Sequence, residues 1–245
     1  MHNGIFVVHG AFCMAQIQSM RTNRIVEALP FDERTTFRSL ATQVDLTVNT
    51  ILFEAVGKLD HVDFPEDGLV SLLVVLPNGS VAEAGFVGSE GAVGTSFDAN
   101  ARSSFTRATV VAAGNALRLP FDRFERMMDQ SSVFRHLISQ NNNRIAERAQ
   151  QLAACNLLHQ LESRLCRWLL QVFDGSENSS VVITQEHLAQ MLGVNRARLN
   201  EALKTLQNLN AISQTQRGIL TIVDADIVAR RVCDCYGLMR VPKPD

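Results

Sequence analysis

The spacing of apolar residues changes near residue 120, and this change restricts the chain to few folds. Before that point, short apolar runs alternate with turn-forming residues, as strands and tight turns do. The runs cover residues 50–53, 61–64, 69–76, 81–87, 103–112 and 116–119. Such regularly spaced short strands predict an antiparallel β-barrel or jelly roll. Two short helices, separated near Pro30, are predicted before the strands, over residues 23–41.

After Pro120 the apolar residues follow a helical period. Five positions recur at spacings of 4, 3, 4 and 3, namely Ile138, Asn142, Ile145, Ala149 and Leu152. This heptad pattern predicts a seam on one long helix over residues 131–155. The seam could pack on the protein's own barrel or pair with a second copy in a parallel homodimer, with polar Asn142 fixing the register; we favour the dimer. A second amphipathic helix is predicted over residues 157–173, followed by a loop over residues 174–180.

A helix-turn-helix pattern occupies residues 184–203. Thr184 is a good N-cap for a first helix, and Asn195 is a good N-cap for a second. Gly193 lies where the chain must turn sharply, a position that favours glycine. Small or apolar residues fill the positions of the shared core, namely Leu188, Ala189, Val194, Leu199 and Ala202. After the second helix, residues 211–222 predict a β-hairpin. This hairpin would be the wing of a winged helix.

The second helix of this pattern begins with polar side chains that can reach DNA bases. Arginine can bind guanine through two hydrogen bonds, asparagine can pair with adenine, and glutamate can accept from cytosine. We therefore predict a recognition helix over residues 195–206 that enters the major groove. The predicted DNA-binding residues are Thr184, Gln185, Asn195, Arg196, Arg198, Asn200, Glu201 and, at the tip of the wing, Arg217.

The charge distribution agrees with such local binding. The whole chain of 245 residues has a formal net charge of −2, which excludes a polycationic tail that coats nucleic acid by charge alone. Residues 1–115 carry 7 cations and 12 anions, whereas residues 116–245 carry 16 cations and 13 anions. An acidic first half and a mildly basic second half indicate two different modules.

The order of barrel, long helix and winged helix resembles the Crp/Fnr family, the relatives of the cyclic-AMP receptor protein and the fumarate-nitrate regulator. The resemblance covers residues 23–223 and is strongest over 60–94 and 183–209. It implies an α+β chain: a cyclic-nucleotide-binding-like sensor barrel over 23–130, a dimerisation helix over 131–155 and a winged helix-turn-helix domain over 156–245. Residues 1–22 would be a poorly ordered N-terminal extension.

The resemblance also implies a function. The chain would be a homodimeric transcription regulator that binds a palindromic DNA operator, with RNA polymerase and an unknown small-molecule effector as further partners. Arg196 matches a base-contacting arginine of the family, but Ala197 and Glu201 replace a glutamate and a second arginine. The operator should therefore differ from that of the cyclic-AMP receptor protein. The alternative is a cyclic-nucleotide-binding signalling module that acts through protein partners.

The effector pocket that the family implies is incomplete here. Arg102 and Ser103 match the pair that binds the cyclic phosphate, but Gly94 is followed by Thr95 instead of the glutamate that binds the ribose. A cyclic nucleotide therefore stays a candidate effector, but only the phosphate-binding half of the family's pocket residues is present. No iron–sulfur cluster is expected, because Cys13 is the only cysteine near the N-terminus, and no haem, because His61 is the only histidine in the barrel.

Other classes of protein find little support. His61 and Asp63 form a His-x-Asp pair without a second histidine nearby, and no nucleophile–base pair or phosphate loop is visible, so neither an enzyme nor a metal site is predicted. The five cysteines show no pairing of two Cys-x-x-Cys units. A signal peptide and a membrane-spanning segment are not expected, which predicts a cytoplasmic protein.

Overall fold

The computed structural model describes residues 22–95, 102–175, 180–215 and 218–240. The predictions for residues 1–21 and for Arg217 lie outside these ranges. The N-terminal part begins with helices α1 (Arg24–Glu27) and α2 (Phe31–Leu40), divided at Pro30 as predicted. Seven strands follow: β1 (Thr42–Leu46), β2 (Ile51–Phe53), β3 (His61–Pro65), β4 (Leu69–Val75), β5 (Val81–Val87), β6 (Arg107–Ala112) and β7 (Gly114–Pro120).

The seven strands form two antiparallel sheets, with strand orders β1-β7-β3 and β2-β6-β4-β5. Apolar side chains from both sheets share one core, which includes Val62 and Leu119 from the first sheet and Val70 and Val110 from the second. This arrangement is compatible with the predicted jelly roll, and no closed barrel is present among the described strands. Strand β1 was not predicted, because most of its side chains are exposed and leave no apolar run.

Within the first sheet, a partly buried ion pair joins β3 to β7. Asp63 lies opposite Arg118 and accepts two hydrogen bonds from its guanidinium, at 2.8 and 3.1 Å. Burial opposes ionisation of this carboxyl, but the neighbouring His61 and the hydrogen bonds and charge of Arg118 hold the pKa of Asp63 below its ordinary value. The His-x-Asp pair of the sequence is thus part of a structural network of the sheet.

Two further helices link the sheets to the C-terminal part. Helix α3 (Phe121–Gln130) was not predicted, and helix α4 (Ser132–Leu158) extends three residues beyond the predicted end. Phenylalanines join both helices to the sheets: the ring of Phe134 on α4 lies 6.3 Å from that of Phe64 on β3 and 5.7 Å from that of Phe124 on α3. The start of α4 is therefore held in the core of the β-sandwich.

The C-terminal part follows the predicted order. It consists of α5 (Leu161–Asp174), β8 (Ser180–Val182), α6 (Gln185–Met191), α7 (Arg196–Asn208), β9 (Ile212–Gln214), β10 (Ile219–Ile222), α8 (Ala225–Arg231) and α9 (Cys235–Met239). Strands β8, β10 and β9 form an antiparallel sheet in that order. Strand β8 and helices α8 and α9 were not predicted. No helix in the described parts of the chain is long and apolar enough to cross a bilayer.

One continuous core joins this part to the β-sandwich. Trp168 and Leu169 of α5 belong to the same buried cluster as Leu69 and Phe86 of the sandwich. Next to this cluster, the buried Glu83 accepts a 2.7 Å hydrogen bond from the Ser71 hydroxyl. Burial raises the pKa of Glu83, while the charge of Arg167 and hydrogen bonds from Ser71 and Trp168 oppose the rise. Polar contacts and apolar packing thus both fix α5 against the second sheet.

Candidate nucleic-acid interface

Helices α6 and α7 form the predicted helix-turn-helix. The Thr184 hydroxyl accepts a hydrogen bond from the backbone of His187, and the Asn195 side chain accepts one from the backbone of Arg198, so both predicted N-caps are confirmed. The predicted core residues Leu188, Ala189, Leu199 and Ala202 are buried, and Val194 packs against them. Helix α7 begins at Arg196, directly after its cap, and runs two residues beyond the predicted end.

Two features fix the turn between helices α6 and α7. Gly193 has a φ of +64°, in the left-handed region where a residue with a Cβ is strained. The buried Arg164 of α5 donates a hydrogen bond to the carbonyl of Leu192, the C-cap of α6. Through this hydrogen bond, helix α5 fixes the position of the turn from which α7 begins.

The first turn of α7 presents polar side chains to solvent. Asn195, Arg196, Arg198 and Glu201 are exposed, as a DNA-reading surface requires. Asn200 is half-buried, and its Oδ1 atom is buried without a hydrogen-bond partner in the described part of the chain. Four of the five polar residues predicted on this helix are therefore accessible, and Asn200 lies at the edge of the surface.

A groove of about 620 Å³ runs beside this surface. Its lining comes from the start of α6, the start of α7 and the β9–β10 hairpin: Thr184, Gln185, Glu186, Arg196, Gln214, Thr215 and Gly218. Gln185 of α6 donates a hydrogen bond of 3.2 Å to Gln214 of β9, which links the first helix to the hairpin. The structure thus brings three predicted DNA-binding residues, Thr184, Gln185 and Arg196, together along one groove.

The residues of the predicted effector pocket have other partners. Thr95 is buried and makes two hydrogen bonds with the Asn142 side chain of α4, at 2.6 and 3.1 Å. Arg102 forms ion pairs with Asp122 at 2.9 Å and Glu125 at 2.6 Å, both on α3. The backbone of Ser103 pairs with that of Lys58 in an isolated antiparallel β-bridge, and Gly94 has a φ of +90°. The cationic group expected to bind a cyclic phosphate therefore already faces two carboxylates.

The residues of the predicted dimer seam face the protein's own sandwich within a single chain. Ile138 and Leu152 are 1% and 2% exposed within a single chain, Ile145 packs against the sandwich core, and Asn142 bonds to Thr95. Asn142, Ile145 and Ala149 are half-buried. The alternative use of this face, packing on the protein's own β-structure, is the one observed.

Sequence reasoning missed a cluster of cysteine and histidine side chains. The Sγ atoms of Cys155, Cys233 and Cys235 and a ring nitrogen of His159 all lie within 4.8 Å of one another, in a geometry that could hold a metal ion. Burial raises the pKa of the Cys155 thiol to about 12, and the neighbouring Cys233 contributes to the rise. The sequence signals were a Cys-x3-His pair at the end of α4 and a Cys-x-Cys pair near the C-terminus, far apart along the chain.

These features define a class of protein: a winged helix-turn-helix domain attached through a long helix to a β-sandwich. Comparison with known families and structures agrees with this description of the fold. Residues 163–230 match the Crp-like helix-turn-helix domain. No curated protein matches the chain.

Solved structures match over most of the chain. A protein from Eubacterium rectale described as a Crp/Fnr-family regulator has 13% identity and a TM-score of 0.65, covering 85% of this chain and 97% of its own. FixK2 from Bradyrhizobium japonicum has 11% identity and a TM-score of 0.62, covering 79% and 98%. A CRP-family transcriptional regulator from Thermus thermophilus has 19% identity and a TM-score of 0.61, covering 77% and 95%.

The chain thus carries a Crp-like helix-turn-helix domain and has the fold of the Crp/Fnr regulators, which confirms the resemblance found in the sequence. Together, the domain and the fold support a DNA-binding transcription regulator.

Proposed function

We propose that this chain acts as a homodimer that binds an inverted-repeat DNA operator, with one α7 helix in the major groove of each half-site. The observation that carries the proposal is the exposed, polar first turn of α7 beside the groove formed with α6 and the hairpin. A helix-turn-helix with no role in DNA binding would not require arginines at this position. The exposed Arg196 and Arg198 can bind base edges or phosphates.

A second stripe on α4 supports the dimer. The residues that directly follow the five predicted seam residues also form a heptad pattern, which continues to Leu157. All six residues are exposed: Ser139, Asn143, Ala146, Gln150, Ala153 and Leu157. Leu157 and Leu158 are 85% and 79% exposed at the end of the helix, where solvent alone would cover them in a monomer. The small residues of this stripe would allow two α4 helices to approach closely. We therefore place the dimer interface on this stripe.

The role of the β-sandwich follows from its contacts with α4. Through the hydrogen bonds between Thr95 and Asn142, and the contact of Phe64 with Phe134, the sandwich would act as a scaffold that orients α4. The alternative of a cyclic-nucleotide-binding module that acts through protein partners has no comparable support, because Arg102 is engaged by Asp122 and Glu125.

We expect selection of bound sequences from a random DNA pool to yield an inverted repeat. Two recognition helices related by a two-fold axis contact half-sites about 34 Å apart, or one helical turn. Footprinting of the selected DNA should show two protected segments with this spacing. Recovery of a single half-site, or of DNA without a shared sequence, would contradict the proposal.

The substitution Ala146→Glu should convert the dimer into monomers, because two like charges would face each other across the stripe without a partner. Sedimentation or light scattering of the full chain gives the mass directly. Ala229→Glu, which places the same charge on an exposed alanine of α8, is the matched control and should remain a dimer. Equal masses for the two variants would contradict the position of this interface.

A further inference from the structure

Four side chains with metal-binding atoms meet where α4 ends. Cys155 and His159 lie four residues apart, one helical turn, at the C-terminus of this helix. Cys233 and Cys235 reach the same point from the segment that joins α8 to α9. Cys155 Sγ lies 3.6 Å from Cys233 Sγ, and Cys235 Sγ lies 3.5 Å from His159 Nδ1. Residues distant in sequence are thus brought into one cluster.

These separations fit a tetrahedral metal ion. Zinc binds cysteine sulfur at about 2.3 Å and histidine nitrogen at about 2.0–2.1 Å, so the edges of the tetrahedron are about 3.8 Å between two sulfurs and about 3.6 Å between sulfur and nitrogen. The two short contacts, 3.6 and 3.5 Å, are close to these edges. A disulfide would instead need two sulfurs about 2.05 Å apart, and all three cysteines are free.

The surroundings of the cluster also suit a metal site. The three cysteines are buried and His159 is half-buried, so the protein shields the four ligand atoms from most solvent. Gln151 Nε2 donates a hydrogen bond of 3.1 Å to Cys235 Sγ, as outer partners of metal-bound thiolates do. The buried cations Arg164 and Arg167 interact electrostatically with Cys155. Their charge would offset the net −1 of a divalent ion bound by three thiolates and a neutral imidazole.

We propose that Cys155, His159, Cys233 and Cys235 bind one Zn²⁺ ion per chain. Four protein ligands of the Cys₃His type leave no open position, which is the pattern of structural rather than catalytic zinc. On binding, each thiol releases its proton to solvent and donates a sulfur lone pair to the ion, while the imidazole donates a nitrogen lone pair. The ion would fasten the α8–α9 segment to the end of α4, beside the start of α5.

Zinc binding at this cluster does not depend on DNA binding. We expect full-length protein, purified without added metal, to contain one zinc ion per chain by elemental analysis. After removal of zinc and addition of Co²⁺, the protein should show the visible absorption of tetrahedral cobalt and the near-ultraviolet absorption of thiolate ligation. A chain that retains no zinc and shows no such spectrum with Co²⁺, or that isolates with a disulfide between Cys155 and Cys233, would overturn the proposal.

Substitutions separate ligation from folding. His159→Ala changes a half-buried side chain and should lower zinc affinity more than the roughly 10- to 100-fold loss expected for Gln151→Ala, an outer partner. His159→Cys should restore zinc binding with a cobalt spectrum shifted by the fourth sulfur. Cys166→Ser is the matched control, because Cys166 is a buried cysteine of α5 outside the cluster, and it should keep one zinc ion. Unchanged zinc affinity in His159→Ala, with circular dichroism like that of the original chain, would overturn the assignment of this ligand.

Discussion

The substitution Arg196→Ala should weaken binding to the selected operator by roughly 2–6 kcal/mol. An arginine bound to guanine through two hydrogen bonds contributes about 1–3 kcal/mol of base discrimination, and a dimer loses two such contacts. Arg196 is suited to this role because it is exposed at the first position of α7 and lines the groove beside α6. Fluorescence anisotropy with labelled operator, at one fixed salt concentration, measures the loss.

Two comparisons make this result specific to base recognition. Arg123→Ala removes the same charge from an exposed site on α3 and should leave operator affinity nearly unchanged. Arg196→Ala should also keep the original affinity for random DNA and the original salt dependence, whereas loss of a phosphate contact lowers the salt slope by about one per site. Equal losses on operator and on random DNA would assign Arg196 to the phosphate backbone instead.

The helix-turn-helix could be predicted from sequence because its determinants are local. Thr184 and Asn195 cap their own helices, and Gly193 takes its φ of +64° within the turn that it forms. Each of these interactions spans at most a few residues, so residue type and spacing contain the needed information. The same holds for strands β3, β4 and β5, whose ends coincide with turn-forming residues.

The stripe of α4 that packs on the sandwich could not be predicted because it depends on tertiary packing. A heptad pattern shows that one stripe of α4 is covered, but it does not show what covers it. Each step of one residue rotates the stripe by about 100°, and the β-sandwich occupies the stripe that contains Ile138 and Leu152. The exposed stripe that we propose for the dimer begins one residue later and contains mainly small and polar side chains, which give a weak signal in sequence.

Two other features depend on contacts between distant residues. Arg102 matches a cyclic-phosphate ligand by its motif, and α3, which was not predicted, places Asp122 and Glu125 against it. Cys155 and Cys233 lie 78 residues apart in sequence and 3.6 Å apart at their sulfurs. Spacing within a motif cannot reveal either contact, because the chain returns to the same place only after folding.

The substitution Arg148→Met should lower the free energy of unfolding by about 3–5 kcal/mol, the loss typical of removing one partner from a buried ion pair. The Arg148 side chain of α4 is 11% exposed and forms a 2.5 Å ion pair with Glu90, which is 6% exposed. It also donates a hydrogen bond to the carbonyl of Phe86 and lies over the Phe86 ring. Without Arg148, the Glu90 carboxylate would keep its burial and lose its counter-charge.

Urea denaturation of the full chain, at a fixed protein concentration, measures the effect. The double substitution Arg148→Met with Glu90→Gln should recover a large part of the loss, because it removes the buried charge along with its partner. Arg107→Met is the matched control, since its 2.7 Å ion pair with Glu54 is much more exposed and such pairs contribute about 0–1 kcal/mol. If Arg148→Met were no more destabilising than Arg107→Met, the ion pair would not be what holds α4 against the sandwich. The shared apolar core and the bonds of Thr95 to Asn142 would then have to fix α4 against the sandwich by themselves.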